Sequence, residues 1–265
     1  MIPYFQANAF AFGPITIQVW GLMVSLGILA GLILSYKYAR QYFLSEQVIL
    51  DLAMWSIVGG FIMARVFHVV FYAPDYYILH PSEVLYFWQG GASSIGGFVG
   101  AALAIYIFAK LKNFSLSELL PYFDVMALGL WLGWAIGRIG CFLIHDHPGT
   151  LSHSLLAIKF PAGARFDLGL LDSILAFFIF FVSILSFKKL IKVRYGLVSK
   201  ISFMIYAFAR FWLDFLRASD LAQSDIRYYH LTPAQWGMAV IFIGLTFSLC
   251  FDKIKTDSTS TGEVA

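Results

Sequence analysis

Apolar residues in this chain neither alternate nor recur at helical spacing against a polar face; they run on. Seven such stretches cover residues 15–36, 49–72, 90–109, 119–140, 168–187, 199–217 and 233–251. Each is close to the roughly 20 mostly apolar residues that a helix needs to cross the hydrocarbon of a bilayer. Inside that layer every backbone N–H and C=O must be paired within the chain, which admits only helices and closed barrels. Barrel strands read as segments of about ten residues with alternating polarity, and the unbroken runs exclude them. The pattern therefore predicts an all-α integral membrane protein with about seven transmembrane helices, forming one polytopic domain over residues 1–251. The polar stretch 252–265 is expected to be a tail without order.

Composition agrees. The chain is 60% hydrophobic and 12% charged, about half the charge of a soluble domain, which carries roughly 25%. The two cysteines, Cys141 and Cys250, lie in unrelated segments and indicate no disulfide framework. The first 36 residues hold no Lys or Arg. They lack the basic start of a cleaved signal peptide, so the first apolar stretch is expected to remain as a helix.

Charge distribution sets the expected orientation. Lys37, Arg40, Lys110, Lys112, Lys188, Lys189, Lys192, Arg194, Lys200, Lys253 and Lys255 fall at one set of span ends, and Lys159, Arg165, Arg217 and Arg227 at the other. The richer set belongs in the cytoplasm. The N-terminus is then outside and the C-terminal tail cytoplasmic. The outer loops 73–89, 141–167 and 218–232 hold every histidine except His68.

Arg65, Arg138 and Arg210 fall within apolar spans. A charge there costs a few kcal/mol on insertion scales and usually faces a polar cavity; near a helix end it can instead snorkel to the interface. Three in the outer halves of different spans favour a shared anion-binding cavity. Tyr206, Arg210, Asp214 and Arg217 form a polar stripe at helical spacing, in which Arg210 and Asp214 can also simply pair with each other. Two glycine-rich segments stand out. Trp88-Gln89-Gly90-Gly91-Ala92-Ser93-Ser94-Ile95-Gly96-Gly97 opens the third span, where a helix N-terminus offers free N–H groups to an anion or small residues pack helices together. Gly137-Arg138-Ile139-Gly140-Cys141-Phe142 leads into His145-Asp146-His147-Pro148-Gly149. Two histidines two residues apart, with no obvious third ligand, are a weak metal signal, and no metal or cofactor is expected.

These segments resemble the bacterial prolipoprotein diacylglyceryl transferase family. Residues 137–149 are similar to its Gly-Arg-x-Gly-Asn-Phe signature followed by Glu and Gly. Phe12-Gly13-Pro14-Ile15 with Val19-Trp20-Gly21-Leu22-Met23, the third-span segment, the stretch from Tyr206 to Asp220, and Gln235 look like its other motifs in order. The resemblance implies transfer of the diacylglyceryl group of phosphatidylglycerol to the lipobox cysteine in a prolipoprotein signal peptide. A thioether forms and glycerol phosphate leaves. It places the protein in the bacterial inner membrane, with the site toward the periplasmic face and lipid, not nucleic acid, as its surroundings. Arg138 would hold the headgroup and Arg210 stabilise the phosphate, with Asp146 and Asp214 as acidic members of the site. Substrate-binding positions would be Arg138, Gly140, Gly149, Tyr206, Gly90, Gly91, Ser93, Gly96, Gly97 and Gln235.

The chain departs from the pattern at Ile95, where the family commonly has His, and at Cys141, where it has Asn. Asp146 and Asp214 stand in glutamate columns. The thiolate is the reactive form of the acceptor cysteine, so a base is needed; His145 or His147 would supply it from the loop, and the alternative is that Asp146 or the substrate phosphate takes the proton. The competing expectations are a diverged, non-catalytic homologue that binds anionic lipid, and a membrane transporter.

Overall fold

The computed structural model describes residues 1–13, 15–86, 90–221 and 227–261; the side chains of residues 12, 15, 94 and 252–261 are left aside. The order is β1 (Ile2–Pro3), β2 (Ala9–Phe12), β3 (Ile15–Gln18), α1 (Val19–Gln41), α2 (Glu46–Phe71), α3 (Pro74–Leu79), a 3-10 turn (Pro81–Leu85), α4 (Ser94–Leu111), α5 (Leu116–Ile144), β4 (Pro148–Leu151), β5 (Ile158–Phe160), β6 (Gly163–Asp167), α6 (Leu168–Val193), α7 (Leu197–Leu213), a second 3-10 turn (Asp214–Leu216) and α8 (Pro233–Thr261).

Among the described residues, α1, α2, α5, α6 and the Pro233–Phe251 part of α8 are long and apolar enough to cross a membrane, five helices in all. Each apolar run from the sequence holds a helix; α4 and α7 are shorter, at 18 and 17 residues. Phe61, Ile62, Leu185 and Ile243 are exposed on helix surfaces, a surplus of large apolar side chains that suits hydrocarbon surroundings. The boundaries shift for local reasons. Ile15–Gln18 pairs antiparallel with Ala9–Phe12, so α1 starts at Val19 rather than near residue 15. Gly90 and Gly91 sit at positive φ of 90° and 76°, a conformation that delays α4 to Ser94. Helix α8 extends to Thr261, into the stretch expected to lack order; residues 262–265 lie outside the described residues.

The chain forms two compact units, Met1–Ser35 with Phe123–Ala265, and Tyr36–Tyr122. In the first, β1, β5, β6 and β4 form a four-stranded sheet in that order, an addition to the all-helical expectation. Helices α1 and α5 approach through Gly27 and Gly31 against Gly133 and Gly129, where a Cβ would strike the facing carbonyl oxygen; small residues allow such backbone contact in membranes. Trp131 of α5 packs on Phe203 and Tyr206 of α7 with ring centroids 5.0 and 4.9 Å apart. Helix α7 begins at Gly196 (φ 83°). The buried Asp124 carboxylate accepts from the Gly196 N–H at 2.6 Å and the Ser199 N–H at 2.8 Å. It pairs two of the N–H groups that a helix start leaves over and complements the positive end of the helix dipole.

In the second unit, α2 is capped by Ser45 and α4 by Ser93, whose Oγ accepts from Gly96 N–H at 3.3 Å. The two helices pack through Gly59 and Gly100, each facing the other's carbonyl. Leu44 N–H bonds to Ala39 O at 2.9 Å around Phe43, and Phe114 N–H to Ala109 O at 2.8 Å around Asn113. Both are left-handed helix endings, with φ 56° at each turn residue. Asn tolerates that conformation, whereas phenylalanine is strained in it. Because Phe43 is 98% exposed, Phe43→Gly is expected to raise unfolding stability by about 0.5–1 kcal/mol, the strain relieved less the entropy cost of glycine. Chemical denaturation in detergent checks this, and an unchanged or lower midpoint counts against it.

Candidate active site

The last turns of α5 carry Arg138, the start of α6 carries Asp172, and the end of α7 carries Tyr206 and Arg210. All lie in the first unit and meet around the Asp172 carboxylate, which is 2% exposed. Arg138 Nε lies 2.6 Å and Arg210 Nε 3.8 Å from Asp172 Oδ2. Tyr206 donates its hydroxyl proton to the same oxygen at 3.3 Å and accepts from Trp134 Nε1 at 3.1 Å. The Arg138 guanidinium stacks over the Trp134 ring, 5.0 Å from its centre. Ionic pairing and stacking thus fix its plane. Its terminal nitrogens make one protein contact among the described residues, Nη1 to Cys141 Sγ at 3.5 Å, and a thiol is a weak acceptor. With 17% of its side-chain surface exposed, Arg138 is an oriented cation with donors left for a ligand.

A second carboxylate, Asp214, supports the group. Arg210 Nη1 lies 2.7 Å and Arg217 Nε 3.6 Å from its Oδ1, and Thr232 Oγ1 donates to its Oδ2. The polar stripe of α7 therefore does both things open to it, pairing Arg210 with Asp214 and facing the Asp172 cluster. Gln235 is used as a cap. Its Oε1 accepts from Thr232 N–H at 2.9 Å, Thr232 Oγ1 accepts from Gln235 N–H at 3.2 Å, and its Nε2 donates to Phe211 O at 3.1 Å. This is a Thr-Pro-x-Gln capping box at the start of α8, with the Gln235 side chain buried.

The His145-Asp146-His147 loop divides by role. His145 ends α5 at φ 53° and is buried. Nδ1 is 2.7 Å from Asp167 Oδ2, and Nε2 donates to Phe5 O at 2.5 Å. Both ring nitrogens are occupied, so His145 pins the loop. Asp167 also caps α6 by accepting from Leu170 N–H at 3.0 Å, and burial pushes its carboxyl above the usual range against the opposing His145 bond. His147 is half-buried. Its Nδ1–H donates to Asp146 O at 2.8 Å, which leaves the lone pair on Nε2. Burial holds the His147 ring below the usual imidazole range; Arg138 and Arg217 push the same way and Asp146 opposes them. Cys141 Sγ, an Asp146 oxygen and a His147 nitrogen lie within 4.8 Å of one another. These donors could ligate a metal chemically, though the Arg138 guanidinium at the same sulfur would repel a cation.

Gly140 packs on α1, where a Cβ would lie 2.9 Å from Met23 Cβ. At Gly149 a Cβ would lie 2.7 Å from Leu216 O. Both glycines serve close packing that sets Arg138 and its loop. Arg165, with Nη1 on Gly149 O at 3.1 Å, forms a two-pronged pair with Asp220 at 2.9 and 2.5 Å. It does not pair with Asp167.

The second unit holds Gly90, Gly91, Ser93, Gly96, Gly97 and Arg65; Trp88 and Gln89 lie outside the described residues. Arg65 is held by backbone of its own unit. Its guanidinium donates to the carbonyls of Glu83, Val84, Tyr86, Gly90 and Gly91 at 2.6 to 3.4 Å. That matches its five N–H donors and ties the 83–91 segment to α2. Gly96 and Gly97 face α2, Ser93 is the α4 cap, and Ile95 is exposed. Asp172 is the member of the arginine cluster that the sequence pattern does not single out, although an acid within an apolar span is itself a signal.

Comparison with known proteins assigns the sequence to a family. The family model described as prolipoprotein diacylglyceryl transferase matches residues 7–251. A phosphatidylglycerol–prolipoprotein diacylglyceryl transferase of Finegoldia magna is 28% identical over 94% of this chain and 98% of its own length. One of Trichormus variabilis is 30% identical over 89% and 85%. One of Staphylococcus saprophyticus is 35% identical over 58% of this chain and 55% of its own length. With the match running through α1 to α8 and across every residue of the arginine cluster, the chain belongs to the prolipoprotein diacylglyceryl transferase family.

Proposed function

We propose that the protein transfers the diacylglyceryl group of phosphatidylglycerol to the thiol of a prolipoprotein's lipobox cysteine. The cysteine sulfur attacks the glyceryl carbon that bears the phosphate. A C–S bond forms, the C–O bond breaks, and glycerol phosphate leaves with the electron pair. A departing phosphate ester needs positive charge and directed donors. The observation that carries the reading is Arg138, buried against Asp172 and Trp134 with its terminal nitrogens left over. Arg138 binds the phosphate, Arg210 adds charge across Asp172, and Asp214 positions Arg210. Tyr206 fixes Asp172. The nucleophile belongs to the substrate. The Lys/Arg distribution supports seven spans, with α4 and α7 as the short ones, a cytoplasmic C-terminus, and the arginine cluster on the periplasmic side of the inner membrane.

His147 takes the thiol proton on Nε2. Neutral imidazole is the base, so activity is present above the His147 pKa and is lost as pH falls through it. That pKa lies below the ordinary value of about 6.5. The acid limb of kcat/KM is expected to have its midpoint below about pH 6.5 and to disappear in His147→Gln. An acid limb unchanged in the variant removes His147 from the role.

A second reading, a lipid-binding homologue without transferase activity, is favoured by Ile95, which cannot move a proton at the position where the resemblance implies His. The deciding experiment follows labelled diacylglyceryl from phosphatidylglycerol to a lipobox peptide, using purified protein in nanodiscs with Arg138→Ala as control. Transfer that vanishes in the variant supports the transferase. Phosphatidylglycerol bound by folded protein without transfer supports the second reading.

A further inference from the structure

We propose that Asp172 reads the lipid headgroup, its Oδ1 accepting a hydrogen bond from a headgroup hydroxyl while Arg138 holds the adjacent phosphate. The inference rests on the proposed transfer reaction. The two oxygens of this carboxylate differ. Oδ2 accepts from the Tyr206 hydroxyl and lies in ion-pair contact with Arg138 Nε and Arg210 Nε, although the Arg138 Nε–H is not aligned to donate to it. Oδ1 is buried and has no hydrogen-bond partner among the described residues. A buried carboxylate oxygen without a donor is costly, and such groups in native proteins call for an explanation. Here the protein's nearest cations and the Tyr206 hydroxyl lie against the other oxygen.

The donor is identified by its chemistry. A lipid phosphodiester offers acceptors only, and these suit the Arg138 nitrogens. A glycerol headgroup adds two neutral hydroxyls a few bonds from that phosphate. An ammonium headgroup would also donate, but Arg138 and Arg210 flank Asp172 and repel a cation. A headgroup without a free hydroxyl satisfies the arginines and leaves Oδ1 unpaired. The arrangement therefore selects a neutral polyol ester of phosphate over amine-bearing and hydroxyl-free phospholipids. This selection uses one acid that the arginines already hold in place.

The test compares donor lipids in nanodiscs: phosphatidylglycerol, phosphatidylpropanol (the same headgroup chain without hydroxyls) and phosphatidylethanolamine. Sites built to hydrogen-bond a substrate hydroxyl reject analogues lacking it strongly, so wild-type kcat/KM for phosphatidylglycerol should exceed that for phosphatidylpropanol by about 100-fold or more. In Asp172→Ala that ratio should collapse to within about threefold, with both rates lowered. Asp172→Asn, which keeps an acceptor oxygen without its charge, should give an intermediate ratio and serves if the alanine variant does not fold. A wild-type ratio near one overturns the proposal. So does a variant in which both rates fall equally and the ratio stands, because Asp172 would then only orient the arginines. If the wild type transfers from neither lipid, the transferase reading has failed. The same ratio is then read from calorimetric binding of the dihexanoyl forms of the two lipids to wild type and Asp172→Asn.

Discussion

Arg138→Lys is expected to lower diacylglyceryl transfer about 100- to 1,000-fold, the range seen when one preorganised donor to a developing anion is lost. Lysine keeps the charge, so the size of the loss separates charge from geometry. The guanidinium has two attachments, Asp172 at 2.6 Å and the Trp134 face at 5.0 Å, and its terminal nitrogens meet only a weak acceptor, Cys141 Sγ, among the described residues. An ammonium can take the ion pair or reach a phosphate, but it cannot stack flat on an indole while presenting two parallel N–H bonds. The fall should appear in single-turnover rate at saturating lipid, since the donors act on the leaving oxygens. A variant retaining a third or more of the wild-type rate would mean that a point charge suffices, and the role assigned to the Trp134 stack would be withdrawn.

The second large effect concerns stability. Asp214→Ala should destabilise the protein by about 3–5 kcal/mol, the usual consequence of removing one partner from a buried ionic group. Asp214 is 1% exposed. Its removal leaves Arg210 facing Arg217 without the carboxylate between them and frees the Thr232 hydroxyl at the start of α8. Asp214→Asn should lose less, because the amide oxygen still accepts from one neighbour. Thermal unfolding in detergent distinguishes these outcomes. Equal midpoints for wild type and Asp214→Ala would show that the arginines find other partners, and would return Asp214 to a role in chemistry alone.

The helices were legible because a run of apolar residues is a local property, and seven runs hold seven helices. The arginine pair was legible for a related reason: a charge in an apolar span has few structural uses. Arg65 met the same criterion, and its guanidinium bonds to backbone. Its partners are backbone carbonyls 18 to 26 residues further on, and carbonyls leave no mark on a side-chain pattern. Asp172 was legible in principle, as an acid in Leu-Gly-Leu-Leu-Asp-Ser-Ile-Leu, but its partners stand on other helices, α5 and α7. Gln235 had a local signal too, since Thr232-Pro233-Ala234-Gln235 spells a helix start. His145 and His147 look equivalent in sequence. The positive φ at His145 and the distant Phe5 and Asp167 give only one of them a free nitrogen. The small sheet was hidden because its strands are short and its pairings, such as Ile2 with Ile158, are remote in the chain.

Helix α7 has a carboxylate at each end. Asp124 grips its first N–H groups, and Asp214 holds Arg210 in its last turn. Fraying is how most short helices yield, and here both ends are clamped. Helix α7 therefore behaves as a strut of fixed length: it can tilt or slide as a rod, but it cannot unwind to make room. A bulky lipid that reaches Arg210 must approach a surface that is already set, and the yielding needed to admit it falls to the elements around that rod.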